Sequence, residues 1–296
     1  GGAGLGYKDL GVVLEETGRT LAASPLHSSA LVGASALLLA GTDAQKAHWL
    51  PKIASGEAIA TLAIDEGPHH APGRSALEFS DGKLRGTKTY VADGHIADLF
   101  IVAGANALYL VRGDAANLSR RELITVDSRG AADLSFENTP AEAMTGAREA
   151  IDAILDRARI GLAAEMLGQA SQAFEISVDY LKTRRQFGQA IGAFQALQHR
   201  AAKLFTDMEL TRSCVIAALD ALDRNDERIA EYASLAKARA AETLHLASSE
   251  MVQLHGGIGM TDAHDAGLYL KRARVAEALY GGASFHRDRY AKLLGI

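Results

Sequence analysis

"LKTRRQFGQAIGAFQALQHRAAKL", Leu181 to Leu204, is the stretch on which the reading of the chain turns. Its first residues continue a helical pattern that stops around Arg184. The chain turns at Gly188, and a new helix begins near Phe194. Two arginines, a glutamine and a phenylalanine are therefore gathered at a helix end. Guanidinium forks match phosphate oxygens bidentately, so the group suits a phosphate clamp with an aromatic beside it. The bland alternative is a solvated basic helix end, favoured there by the helix dipole. These residues alone leave both readings open.

On either side of this stretch the chain falls into three zones. Residues 7 to about 53 place apolar residues three and four apart, as in "YKDLGVVLEETGRTLA" and "SSALVGASALLLAG". "GTDAQKAHWLPKIASG" then offers Thr42 or Asp43 as an N-cap and Pro51 as a breaker. Residues 56 to about 143 change period. "AIATLAID", "DLFIVAG", "ALYLVRG" and "ELITVDS" are short and bounded by Gly, Asp and Asn, and Asp81–Gly82 reads as a hairpin turn. From about 146 to 296 the pattern is helical again, Ala- and Leu-rich, which suits a bundle or an oligomer interface. This segregated order argues an α+β chain. It divides into an N-terminal helical domain over 1–54, a central β-domain over 55–145 and a C-terminal helical bundle over 146–296.

Composition narrows the class. The 296 residues are 48% hydrophobic and 23% charged, ordinary for a soluble globular protein, and a net charge of −5 gives no reason to expect nucleic acid or a membrane surface as a partner. A single cysteine, Cys214, excludes an internal disulfide framework and a cysteine metal cluster, and fits a cytoplasmic location. No apolar run reaches the roughly 18 residues of a spanning helix. "GGAGLG" is not a signal peptide, and without an initial Met the chain is expected to lack residues at its start.

A second glycine-rich helix end, "VQLHGGIGMT" (Val252–Thr261), carries Gly256 and Gly257, which let backbone amides approach a phosphate or simply cap a helix. Together the two segments resemble the acyl-CoA dehydrogenase family of flavoproteins. Arg184-Arg185-Gln186-Phe187-Gly188 followed by Phe194-Gln195 is similar to the family's R-x-Q-F-G…F-Q signature, and Gln253 to Gly257 to its Q-x-x-G-G signature. "GGAGLGYKDLGVVLEETGR", "GTDAQKAHWLPKIASGE" and "GTKTYVADGHIADLFIV" resemble further family segments, so the likeness covers nearly the whole chain.

The resemblance implies a partial N-terminal helical domain, a central β-barrel-like domain and a C-terminal four-helix bundle. It implies FAD as cofactor, held in part by a neighbouring subunit. Arg184, Gln186, Phe187, Gln195, Gln253, Gly256 and Gly257 would serve the FAD, with Tyr90 beside the flavin ring and Glu66 at the family's acid position. Asp156 and Arg159, aligned on Gly168, would face the acyl-CoA; their bland reading is a surface helix pair. An acyl-CoA substrate, an electron-transferring flavoprotein as acceptor, a dimeric or tetrameric homo- or hetero-oligomer and a place in β-oxidation follow from the same likeness.

The sequence also departs from the family pattern. Where the family has T-E-P-G-x-G-S, this chain reads Asp65-Glu66-Gly67-Pro68-His69-His70, and the two histidines read as a solvated turn. Ala92 stands where a hydroxyl is usual. Most consequential, "AEALYGGASFHRDR" (Ala276–Arg289) places Gly281 where the family commonly carries the glutamate that removes the α-proton. The other usual position holds Ala158. Gly281 would keep only its backbone N–H for the thioester. His286, Glu165 and Glu277 are then the nearest replacement bases, His286 having the most suitable ordinary pKa. Three functions remain: an acyl-CoA dehydrogenase with a relocated base, a catalytically silent subunit supporting a paralogue in a heterotetramer, and a flavin monooxygenase on the same fold.

Overall fold

A computed structural model describes residues 4–145 and 148–296. The first glycines of the "GGAGLG" run and the pair after residue 145, where the domain boundary is predicted, lie outside the described residues. By contact the chain divides into two compact units. One is built on Ala23–Ala158, the other on Leu5–Ala22 with Arg159–Ile296. Between them they comprise N-terminal helices, two β-sheets and a long helical C-terminal half, the α+β architecture that the order of periodicities implies.

The first unit opens with a π-helical segment, Leu26–Gly33, which runs into α2 (Ala34–Ala40) and is followed by α3 (Asp43–Ser55); α1 (Tyr7–Arg19) belongs to the second unit. Thr42 caps α3, accepting from the Gln45 amide at 3.2 Å while the Gln45 side chain returns the bond to Thr42 N–H. Pro51 does not break this helix as the sequence suggests. The carbonyl it leaves unbonded, that of Ala47, belongs to an exposed residue open to solvent, and the helix runs on to Gly56 in a left-handed cap.

Eight strands follow: β1 (Ala60–Ala63), β2 (Glu78–Ser80), β3 (Lys83–Ala92), β4 (Leu99–Ala103), β5 (Leu108–Arg112), β6 (Leu118–Ile124), β7 (Gly130–Pro140) and β8 (Glu142–Ala143). They form two four-stranded sheets, β1-β4-β5-β8 and β2-β3-β7-β6, and among the described residues no closed barrel. Ala63, Phe100, Val102 and Val111 of the first sheet share one core with Leu84, Val91, Leu134 and Phe136 of the second. The β2–β3 hairpin turns at Asp81–Gly82, both with positive φ as a two-residue hairpin requires.

The second unit is the bundle. It contains α4 (Arg148–Thr183, whose first turns belong to the sheet unit), a short hairpin of β9 (Arg185–Gln186) and β10 (Gln189–Ala190), α5 (Gln195–Asp223), α6 (Ile229–His255), α7 (Ala266–Ala278) and α8 (Ala283–Leu293). Three long rods are completed by two short ones, α7 and α8, both packed on α6 and separated by the turn at 279–282. Helix α1 joins this unit. Its first amides, Tyr7 and Lys8, donate to the Asp223 carboxylate at 2.6 and 3.1 Å, so the end of α5 caps the start of α1. Reciprocal glycines let α1 and α4 meet backbone to backbone: a methyl at Gly18 would strike the Glu165 carbonyl, and one at Gly168 the Glu15 carbonyl.

Because neither carbonyl is the end of a flexible side chain, Gly168→Ala forces the two helices apart. It is expected to lower the stability of the chain by about 1–3 kcal/mol, read as a lower urea midpoint. Alanine, with its better helix propensity, would instead stabilise α4 if the two helices were not in contact.

Candidate active site

The sequence motifs come together at one end of the bundle. Tyr180, one turn before Arg184, lies against His255 with ring centroids 4.3 Å apart, and His255 stacks in turn on His264 at 4.1 Å. Leu181 and Leu254 line one shallow apolar groove with Phe174 and Leu204. The ends of α4 and α6 are thus packed together, and with them the turns that carry Arg184 and Gly256. Arg184, Gln186, Gln195 and Gln253 are exposed there. Phe187 is 89% exposed on a left-handed φ of +52°, an uncommon and strained state for a bulky residue. Gly256 has φ +60°, and neither it nor Gly257 has any atom within 4 Å of where a Cβ would stand. This face offers a cation, amide side chains, an open backbone turn and an aromatic ring to an anionic, flat-ringed ligand.

The second locus is the turn between α7 and α8. Tyr280 has φ +57° and Gly281 φ +104°. A buried set of donors fixes it. Arg159 Nε and His286 Nε2 donate to the Tyr280 carbonyl at 3.3 and 3.1 Å, and Lys237 Nζ donates to the Gly281 carbonyl at 3.0 Å. The Gly281 amide donates to the Ala278 carbonyl at 3.2 Å, so a thioester there would have to share or displace that bond. A Cβ at position 281 would stand 2.5 Å from Phe285 Cδ1 and 3.1 Å from His286 Nε2. The side chain missing from Gly281 is therefore replaced by the Phe285 ring, over which Arg159 is placed at 5.6 Å.

Each of the three replacement bases is engaged by neighbouring groups here. His286 is fully buried. Burial, with Arg159 and Lys237 nearby, pushes its pKa down to about 2, and it serves as a neutral donor rather than a proton acceptor near neutrality. Glu165 is buried in a pair with Arg272 at 2.9 Å and also accepts from Gln169. Glu277 is held by Arg274 at 2.6 Å and faces His245 at 3.1 Å. Asp156 and Arg159 are no surface pair: they are 4% and 1% exposed. Ala158 is buried, and its carbonyl accepts from His27.

The sheet unit holds the third group. Tyr90 sits at a bulge of β3, 60% exposed with φ +52°, its amide donating to Asp133 at 3.0 Å. Glu66 binds the buried Lys88 ammonium at 2.7 Å, the Ala76 amide at 2.7 Å and the Ser75 hydroxyl. Burial pushes its carboxyl up, but these three donors outweigh burial and hold it below the ordinary range. Beside it Asp65 accepts from His70 at 3.0 Å and from the Ala71 amide at 3.1 Å. His69 is solvated as the sequence suggests; His70 is not, because Asp65 draws its ring inside. Among the described residues no group of three or more His, Cys, Asp or Glu is placed to hold a metal ion.

The depressed His286 pKa has a testable sign. Between about pH 2 and 6.5 the unfolded chain takes up a proton that the folded chain refuses, so stability falls as pH falls through this window. His286→Gln keeps a donor for Tyr280 but removes the titration. Relative to this variant, the natural chain is expected to lose about 1.4 kcal/mol per pH unit below about pH 6 in urea unfolding. A difference that stays constant with pH would contradict the assigned environment.

The acyl-CoA dehydrogenase C-terminal domain matches residues 145–295, and the acyl-CoA dehydrogenase N-terminal domain matches residues 1–57. The chain is 36% identical over 281 residues to acyl-CoA dehydrogenase IpdE2 of Mycobacterium tuberculosis, covering 94% of this chain and 75% of that protein. Among solved structures, the Tcur3481-Tcur3483 steroid ACAD superposes with a TM-score of 0.91 at 35% identity, over 99% of this chain and 82% of that one. The ChsE4-ChsE5 complex of Mycobacterium tuberculosis superposes with a TM-score of 0.90 at 25% identity, over 99% and 81%. The chain belongs to the acyl-CoA dehydrogenase family.

Proposed function

We propose that the chain works as a FAD-dependent acyl-CoA dehydrogenase, removing hydrogen from the α- and β-carbons of an acyl-CoA thioester. The observation that carries this reading is the open clamp at the bundle end. A bulky aromatic in water on a left-handed backbone costs about 1–3 kcal/mol in strain, and it makes sense where a ligand covers the ring. FAD fits that face and, when bound, supplies the hydride acceptor. Arg184 and the backbone of Gly256–Gly257 would offset pyrophosphate charge. Gln186, Gln195 and Gln253 would make polar contacts, and Phe187 would cover an aromatic surface. Tyr90 would add a second ring, while Glu66 would act through oxygens already tied to Lys88, Ser75 and Ala76. Arg159, together with Asp156, would define the acyl-CoA side. The clamp's outward aspect suits completion by a neighbouring subunit, homo- or heteromeric. An electron-transferring flavoprotein would be the acceptor, and the cytoplasm the setting. Among the described residues no helix is long and apolar enough to cross a membrane. The 35% identity to a steroid ACAD favours steroid-derived thioesters among the acyl groups to test first.

A second reading is favoured by one specific observation. Phe285 occupies the room a side chain at 281 would need, and no carboxylate is free at this turn. The chain would then support a paralogous subunit that brings the base.

Anaerobic titration of the FAD-loaded chain with short, long and steroid-side-chain acyl-CoAs tests both readings. Bleaching of the flavin in the chain alone supports the first. Bleaching only after a paralogous partner is added supports the second, and no bleaching under any condition overturns both. Arg184→Ala is expected to weaken FAD retention by roughly 10–100-fold, the loss of one charged hydrogen bond, with the unfolding midpoint of the FAD-free chain unchanged.

A further inference from the structure

Lys237 is a cation in the bundle interior to which the reading above assigns no task. It lies on α6, fully buried, and its Nζ donates to three carbonyls: Ala276 at 3.1 Å, Glu277 at 3.1 Å and Gly281 at 3.0 Å. An ammonium has three N–H donors and no acceptor, so three carbonyls satisfy it completely. Two of them end α7, where carbonyls lack intrahelical partners and a cation complements the helix dipole. The third belongs to the turn whose two left-handed residues leave the helix path. Lys237 therefore ties the end of one helix to the turn that follows it.

Charged and titratable groups surround this site. Arg159 faces it from α4, Arg272 and Glu277 from α7, and His286 with Arg289 beyond it from α8. The Glu277 carboxylate is occupied by Arg274, so cations dominate.

We propose that Lys237 is a positioning residue: its ammonium, shared among Ala276, Glu277 and Gly281, pins the Tyr280–Gly281 turn, and loss of its proton releases that turn. A neutral amine keeps two N–H donors and gains a lone pair, so three carbonyls compete for two donors and one faces a lone pair. Ala276 and Glu277 are adjacent on a helix. Gly281 lies in the irregular turn, so the turn is the part that moves. Burial and the neighbouring arginines bring the Lys237 pKa down to about 7, which puts the release within the working range of pH. The bearing of this pin on catalysis rests on the acyl-CoA reading; the pin itself does not.

Hydrogen–deuterium exchange of the full chain, from pH 6 to 8.5, tests it without cofactor or substrate. Rates are corrected for intrinsic chemical exchange. Peptides within 276–286, which include the bonded Gly281 and His286 amides, are expected to lose protection as pH rises through 7, by up to about tenfold per unit as the protonated fraction falls. Peptides from α5 should show no such step. Lys237→Met, similar in length and without donors, should show low protection at every pH. The proposal is overturned if the natural chain holds this segment as constantly as α5, or if Lys237→Met keeps the step. Where Lys237→Met does not fold, the natural chain's profile decides. Failure here leaves the proposed activity standing, and failure of flavin bleaching leaves the pin standing.

Discussion

Buried side-chain donors, two of them cationic groups, set against backbone carbonyls hold the turn between α7 and α8 in shape. Lys237, Arg159 and His286 converge from α6, α4 and α8 on the carbonyls of Ala276, Glu277, Tyr280 and Gly281. Without these donors the fourth rod of the bundle would have either to continue as one helix or to leave four carbonyls unpaired in a dry interior, at about 1–3 kcal/mol each. The chain instead breaks the rod at two left-handed residues and satisfies the break from within. The nearby Glu165–Arg272 pair follows the same rule, since a buried charge is tolerated only with its partner in place. The consequence for chemistry is that the turn presents backbone and a phenylalanine ring rather than a carboxylate.

The two exposed aromatics have the opposite logic. Phe187 in the β9–β10 hairpin and Tyr90 at the β3 bulge each stand largely in water on a positive φ. Each is held by ordinary local structure, a two-residue hairpin in one unit and a bulge fastened to Asp133 in the other. Inside the chain Phe187 meets the Phe194 ring edge-on, centroids 6.0 Å apart, yet remains 89% exposed. A flat ligand stacked on either ring would change that balance, and in the proposed site Arg184 and the open Gly256–Gly257 turn would suit a ligand with phosphate.

Much of this was legible in the sequence where the signal was local. Periodicity separated helices from strands, Asp81–Gly82 marked a hairpin, Thr42 marked a cap, and the paired motifs named the family. What the sequence hid was set by partners distant along the chain. His70 read as solvated because nothing in periodicity reveals that Asp65 folds back onto it. Pro51 read as a stop because its cost depends on whether the freed carbonyl faces water. His286 read as a candidate base because its ordinary pKa is suitable; burial beside Arg159 and Lys237 takes that basicity away. Lys237 carries no local signal, since a lysine in an Ala-rich helix looks like a solvent-facing residue until the helix end that it caps is in view. The barrel-like β-domain that the resemblance implies takes the form of two four-stranded sheets around one shared core.

In the proposed site the Arg184 and Gly256–Gly257 turns stand open for FAD. The most direct measurement is an experimental structure of the protein with FAD bound. The pyrophosphate is expected against Arg184 and the Gly256–Gly257 backbone, with Phe187 covered. A flavin bound elsewhere, with these turns still in solvent, would contradict it.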